Sequence, residues 1–355
     1  MPGGTMTDST LQSPTDEPMP ALDAQEWARV RQGLHLLLQI MGKVTIAAHP
    51  YRNQWWQSGL HLTPTGVRTP LLRRPGAGLE AERFELEANL VEATLRVSSS
   101  SGSTTFALDG SLNVSQLYSA VAGIAPLTSL KLNPTTSEMI PPVRLDQSDV
   151  VVDVRPPVVL TWLRQLHQID AAYDELLSTF NGKSSGGLLY WGGLDYALSL
   201  YNGRPNTPPD GAPMVYSFAE NAENISFTYW VTEDGHPQIC AYGTPAAAGD
   251  AGGDYGYGEW EPTRGEVVCA LTPTGRIASA PDTHSISTFL HQTLDTLAAN
   301  GGWDLADLRG QLPQTPWGAA HGADGGEGTG PGRSSDAALP AQSDTDSTFL
   351  NGASS

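Results

Sequence analysis

Cysteine and lysine are nearly missing from this 355-residue chain, which has two of the first and three of the second. Cys240 and Cys269 stand far apart and form no Cys-x-x-Cys, so a dithiol redox centre is excluded, and two cysteines alone cannot make a zinc site. With no leader-like segment ahead of the first helical pattern, they are expected to be free thiols in a reducing cytoplasm. No apolar run approaches the roughly 18 residues that cross a bilayer. Lysine is confined to Lys43, Lys131 and Lys183, there is no basic run, and the formal charge is −19. Nucleic acid and anionic membranes are therefore poor partners.

Motifs are missing too. The eight histidines are scattered without an H-E-x-x-H, no G-x-S-x-G occurs, and no dinucleotide fingerprint follows a strand. The stretch "FNGKSS" fails as a phosphate loop: Leu177 stands where the first glycine is needed, and the segment closes a helix instead of opening one. No metal and no cofactor is expected. Lys43 and Lys183 read as cations at helix C-termini.

Both ends lack apolar periodicity. Residues 1–20 and the acidic Gly/Ser/Pro-rich 311–355 bury too little to offset chain entropy and are expected to be disordered. They carry −3 and −4, leaving −12 between them.

Residues 21–310 read as a single α+β domain. Asp23 caps a helix whose Trp27, Val30, Leu34, Leu37, Leu38 and Met41 recur at helical spacing, with Glu26 completing a capping box and Gly42 ending it. Strands follow at "KVTIAA", "QWWQSGLHLT", "RFELEA", "ATLRVS" and "TTFALD", then a short helix capped by Asn113 and Gln116. Beyond a proline-bracketed connector comes a helix over 158–180, strands at 188–201, "ISFTYWV", "PQICAYG", "GEWEP" and "GEVVCAL", and a last helix over 284–299 capped by Asp282. Halves 21–140 and 155–310 each run helix, Gly-Lys, antiparallel strands, helix. Trp56 ahead of Gly59-Leu60 echoes Trp191 ahead of Gly193-Leu194, which suggests an internal duplication.

Several spaced markers carry a resemblance: Gly42-Lys43, Arg52-Asn53, Trp55-Trp56, Thr63, Gly66, Gly182-Lys183, Trp191-Gly192, Asp195, Gly203-Arg204 and a late "CAYGTP". In these the chain resembles, over residues 21 to about 305, an uncharacterised bacterial family, domain of unknown function 5996. The resemblance implies no activity. It also implies that other members carry His where this chain has Gln54, Gln57, Leu188 and Phe218, so histidine chemistry is not imported.

The strand "LDYALSLY" keeps an aspartate. Alternation puts Leu194, Tyr196, Leu198 and Leu200 on one face and Asp195, Ala197, Ser199 and Tyr201 on the other, so Asp195 can look into a cleft. There a partly desolvated carboxylate serves as a general base or a hydrogen-bond anchor. Arg52, Asn53, Trp56, Trp191 and Arg204 supply donors and aromatic faces for a small ligand. The favoured reading is a binder of a small polar or anionic metabolite in a cleft between the halves. The alternatives are a metal-free enzyme with catalytic Asp195, or a pocketless protein–protein module presenting Tyr229 or Trp260. Oligomeric state is not legible.

Overall fold

The computed structural model describes residues 19–73, 78, 81–245, 253–272 and 282–310. The C-terminal tail expected to be disordered, and residues 1–18 of the N-terminal one, lie outside them. Met19 and Pro20, assigned to that tail, belong to the fold: Met19 is buried, and the Pro20 carbonyl accepts a 2.6 Å bond from the buried Gln165.

The protein is α+β. Its main helices are α1 (Ala24–Ala48), α2 (Val114–Ala122), α3 (Pro157–Ser178), the short α4 (Met214–Ala219) and α5 (Thr283–Asn300). The first half's strands are β1 (His61–Thr63), β2 (Gly66–Arg68), β3 (Leu72–Arg73), β4 (Arg83–Asn89), β5 (Thr94–Ser99) and β6 (Gly102–Ala107). They form one antiparallel sheet in the order β1-β2-β4-β5-β6, with β3 also on β4. A two-stranded piece joins β7 (Asp109–Asn113) to β8 (Val151–Asp153). The second sheet is built from β9 (Lys183–Ser184), β10 (Leu188–Tyr190), β11 (Asp195–Pro205), β12 (Ala222–Val231), β13 (Pro237–Thr244), β14 (Glu259–Glu261) and β15 (Glu266–Ala270). Its order is β10-β11-β12-β13-β15-β14, again antiparallel, with β9 also on β11.

Cap chemistry sets the helix starts. Asp23, Asn113 and Asp282 each accept a backbone N–H three residues on, and Asn113 with Gln116 makes the full box. Glu26 departs from the expected box. Its carboxylate accepts the Val158 N–H at 3.0 Å, serving α3, whose own cap position is Pro156 and offers no side-chain acceptor. The apolar stripes of α3 and α5 are buried against one face of the second sheet, where Tyr173 stacks on Tyr196 at 5.7 Å and Phe289 meets Phe227 at 6.3 Å.

Three sequence expectations change. First, "KVTIAA" is not a strand; it is the last quarter of α1, which runs through Gly42 to Ala48. Gly42 is there for proximity: a Cβ on it would lie 1.9 Å from the Trp191 ring. Burial overrides the weak helix propensity of Val44 and Thr45, and the exposed Ile46 follows within the same helix. Second, "NQWWQS" is a 3₁₀ turn, Asn53–Ser58, with Gln54 and Trp55 at φ 55° and 63°. Third, residues 188–201 are a hairpin, broken at Trp191-Gly192-Gly193-Leu194, with Leu194 at φ 63°. Lys43 therefore lies inside a helix and Lys183 opens a strand, so neither is a C-terminal cation and the two Gly-Lys pairs are not structurally equivalent. The internal duplication gains no support from them. Tyr229, offered as an exposed aromatic, is buried and donates to Gln165 at 2.5 Å, and Trp260 packs against the core.

Candidate functional site

The second sheet has one oily face and one polar face. Cross-strand register places Tyr190 beside Asp195, Ser199 beside Ser226, Tyr201 beside Asn224, and Ser226 beside Tyr242. These residues share the face that α3 and α5 leave free. A hydrogen-bond chain crosses it: Ser199 Oγ to Ser226 Oγ at 2.7 Å, Ser226 Oγ to Asn224 Oδ1 at 2.9 Å, and Asn224 Nδ2 to Glu220 Oε2 at 2.7 Å. Tyr190, Asp195 and Tyr242 keep part of their surface accessible, yet burial is the largest cause raising each of their pKa values. The partly accessible patch these residues form within dense surroundings is the recess of this site. Burial and, secondly, the Glu138 charge push Asp195 up to about 7, while burial pushes Tyr201 up to about 12. Neither the Asp195 carboxylate nor the Tyr190 hydroxyl has a side-chain partner among the described residues.

Helix α1 builds one end of this recess. His35, Gln39 and Lys43, spaced by four, form a polar stripe on a helix otherwise buried in apolar contacts. His35 Nε2 lies 3.0 and 2.9 Å from the carbonyls of Trp191 and Gly192, so that nitrogen carries the proton; burial lowers the His35 pKa and keeps the ring neutral. Gln39 holds Ser137 by both backbone groups, at 2.8 and 2.9 Å, and Lys43 Nζ donates to Ser137 Oγ at 2.8 Å. The stripe thus pins the hairpin turn and the Ser137 loop together. Glu138 follows with left-handed backbone, φ 62°, and its carboxylate lies against Gly192, 2.5 Å from where a Cβ would stand. A Cβ at Gly193 would meet Asp195 Oδ1 at 2.5 Å and Glu138 Oε2 at 3.8 Å, so both carboxylates converge on one point. Glu138 is an exposed residue at the rim, yet partial burial of its carboxylate raises its pKa, and Lys43 opposes the rise. Glycine at 192 and 193 is what leaves room for the pair.

The other end is aromatic. Lys183 Nζ donates to Gln54 Oε1 and sits 4.8 Å over the Trp56 ring and 5.2 Å over Tyr201. Trp56 meets Tyr201 edge-on at 5.7 Å, and Gln54 Nε2 donates to Asn221 Oδ1 at 2.8 Å. Lys43 lies 5.4 Å over Trp191. The two signature segments are therefore cross-braced, each lysine resting on the other segment's tryptophan. Leu60 and Leu189 exchange backbone bonds at 2.9 Å, and Trp191 Nε1 donates to the Ser58 carbonyl at 2.9 Å, which ties the segments directly.

Of the residues singled out from sequence, Asp195 and Trp56 border the recess. Trp191 stands behind it, 5% exposed and wedged against Gly42. Arg52 is exposed, its charge bearing on His49 and His61. Asn53 is exposed on the 3₁₀ turn. Arg204 is held by Glu223 at 3.4 Å and by the Gly302 carbonyl. These three do not join Asp195. Tyr190 and Tyr201 lie beside Asp195 as neighbouring sequence and strand alternation imply; the residues missed are Glu138, Tyr242 and the two lysines. Period-two alternation through "ISFTYWV" and "PQICAYG" could have found Ser226 and Tyr242; nothing local marks Glu138. At the four positions where relatives were expected to carry His, Gln54 bonds Asn221, Gln57 Oε1 accepts the Arg52 N–H at 2.8 Å, Leu188 is buried against Gly59, and Phe218 stacks on Trp55 at 5.8 Å.

Cys240 and Cys269 are buried free thiols pushed up to about 11 and about 12 by burial, so neither is a nucleophile near neutral pH. Among the described residues no cluster of His, Cys, Asp or Glu is arranged to hold a metal ion, and no helix is long and apolar enough to cross a membrane. A groove of about 480 Å³ beside β5 and β6, and a cavity of about 40 Å³ near Thr244 and Trp303, both lie away from the carboxylates. No curated protein and no solved structure matches the chain. The chain belongs to a family of unknown function, DUF5996, whose model matches residues 19–310.

Proposed function

We propose that this member of DUF5996 binds a small polar molecule on the polar face of its second sheet, with Asp195 and Tyr190 as the groups that meet it. One observation carries this: a carboxylate and a phenol hydroxyl are set into dense surroundings with no side-chain partner. Both keep accessible surface, so a ligand can reach them and supply the hydrogen-bond partners that the protein does not. Thermal-shift screening of a metabolite library tests the reading. A ligand present at 100 times its Kd stabilises the fold by about 2.7 kcal/mol, and the gain is expected to vanish in Asp195→Asn and shrink in Tyr190→Phe. Hits indifferent to both substitutions contradict it.

A second reading is supported by the paired carboxylates. With a midpoint of about 7 and Glu138 beside it, Asp195 is poised to exchange a proton with what it binds, as an acid–base catalyst does. Asp195→Asn would then abolish turnover of a bound compound by 100-fold or more, the scale of general acid–base catalysis. Unchanged turnover sets the enzymatic reading aside and leaves the binder.

A further inference from the structure

We infer that the molecule taken by this recess is a small organic cation, an ammonium or a guanidinium, held between the Asp195 and Glu138 carboxylates and the tyrosine faces beside them. The inference rests on the ligand-binding reading and specifies its chemistry.

Charge sorts the candidates. The two carboxylates converge on the space kept open by Gly193. The Glu138 charge penalises the ionised form of Asp195, and a cation placed between the two carboxylates relieves that penalty. An anion would add a third like charge. A neutral polyol would satisfy hydrogen bonds but leave the repulsion standing.

The protein's own cations do not fill that place. Lys43 bears on the Glu138 charge but not on Asp195: it is 3% exposed, lies behind the turn on Trp191, and donates to Ser137. Lys183 is engaged by Gln54, Trp56 and Tyr201 at the far end. Arg204 is tied to Glu223 and Gly302, and Arg52 faces His49 and His61. The rings point the same way. Two lysine ammonium groups already rest on aromatic faces at 4.8–5.4 Å in this site, and Tyr190 and Tyr242 offer further rings beside Asp195. Ammonium and guanidinium groups bind such faces, and a guanidinium also forks onto a carboxylate.

The groups whose charge bears on Asp195 or its immediate partners come from several elements. They are Glu138 from the connector, Lys43 from α1, Tyr173 from α3, Tyr190 from β10, Tyr201 from β11, Glu220 at the end of α4 and Tyr242 from β13, while His35 of α1 bonds the turn carbonyls. The four tyrosines are raised further from neutrality, His35 is lowered, and Glu138 is raised by burial against the opposing Lys43 charge. Asp195, pushed up to about 7, changes charge around neutral pH, and a cation binds its ionised form. Affinity is expected to rise about tenfold from pH 6 to pH 8, the change in ionised fraction of an acid with a midpoint of about 7.

The test is calorimetry and thermal shift on the full chain at pH 6 and 8 and constant ionic strength. Agmatine and choline serve as cationic probes, glucose as the neutral one and inorganic phosphate as the anionic one. At least one cation is expected to bind, about tenfold tighter at pH 8, with binding lost in Asp195→Asn and weakened in the shape-matched Glu138→Gln. Binding of glucose or phosphate, but of neither cation, that depends on Asp195 overturns the cation assignment and leaves the ligand site standing. Cation binding that survives both substitutions, or has no pH dependence, overturns the assignment to this recess. No Asp195-dependent binding by any probe overturns the cation assignment; if a wider metabolite screen is equally silent, the site reading falls with it.

Discussion

Asp195 illustrates how one residue can work against the fold that holds it. Its folded midpoint, about 7, lies above the ordinary 3.8. The sign follows from linkage: its contribution is most favourable below the ordinary value and is lost as pH climbs through 7. Between pH 5 and 8 the loss is at most about 3 kcal/mol, at about 1.4 kcal/mol per pH unit across the perturbed interval. Asp195→Asn keeps the shape and removes the ionisation, so its melting temperature relative to wild type is expected to rise by about 3 °C or more between pH 5 and pH 8. Equal differences at both pH values would show that Asp195 ionises as freely as a surface carboxylate. A substitution that stabilises while abolishing binding is what a functional group in an unfavourable place produces. Glu138 belongs to the same account. Its left-handed backbone is the kind of local strain that the Gln39 and Lys43 bonds to Ser137 can hold in place.

Among the elements, α1 decides most. It is surrounded along Gly33–Thr45, so its polar stripe of His35, Gln39 and Lys43 addresses other parts of the protein instead of water. Gly42 makes this possible. Replacing it with alanine would gain about 1 kcal/mol of helix propensity, but the new methyl would lie 1.9 Å from a buried indole. Overpacking of that kind costs about 1–3 kcal/mol or more, and with no flexible side-chain end to yield, it prevails. Gly42→Ala is expected to lower the melting temperature and shift Trp191 fluorescence; a neutral or stabilised variant would contradict the packing. Local rules made the helix starts legible, because Asp23, Asn113 and Asp282 need only backbone groups three residues away. They also made the faces of β11 legible, since period two is intrinsic to a strand. The end of α1 was not legible, because Gly42 answers to Trp191, far along the chain, and a glycine after an apolar stripe looks like a stop. Arg52 and Arg204 were chosen for their donors, but Glu223 and the Gly302 carbonyl decide where Arg204 goes. Glu138, isolated in a proline-rich connector, carries no pattern at all.

At the scale of the whole molecule, two segments distant in sequence meet and exchange partners: Lys43 on Trp191, Lys183 on Trp56, Leu60 on Leu189. Every described partner in this brace lies within the family match at residues 19–310. A chain trimmed to those residues is therefore expected to melt within about 2 °C of the full one; a larger drop would place part of the stability outside the described fold. The recess formed by this convergence is the central claim, and Asp195 reports on it, because its burial needs the turn, the Glu138 loop and the polar sheet face together. The most direct measurement is a carboxyl-carbon NMR titration of Asp195 in the wild type and in Glu138→Gln. A midpoint near 7 that falls when Glu138 loses its charge is the expected result. A midpoint near 4, unmoved by that substitution, would place Asp195 in open water and contradict the account.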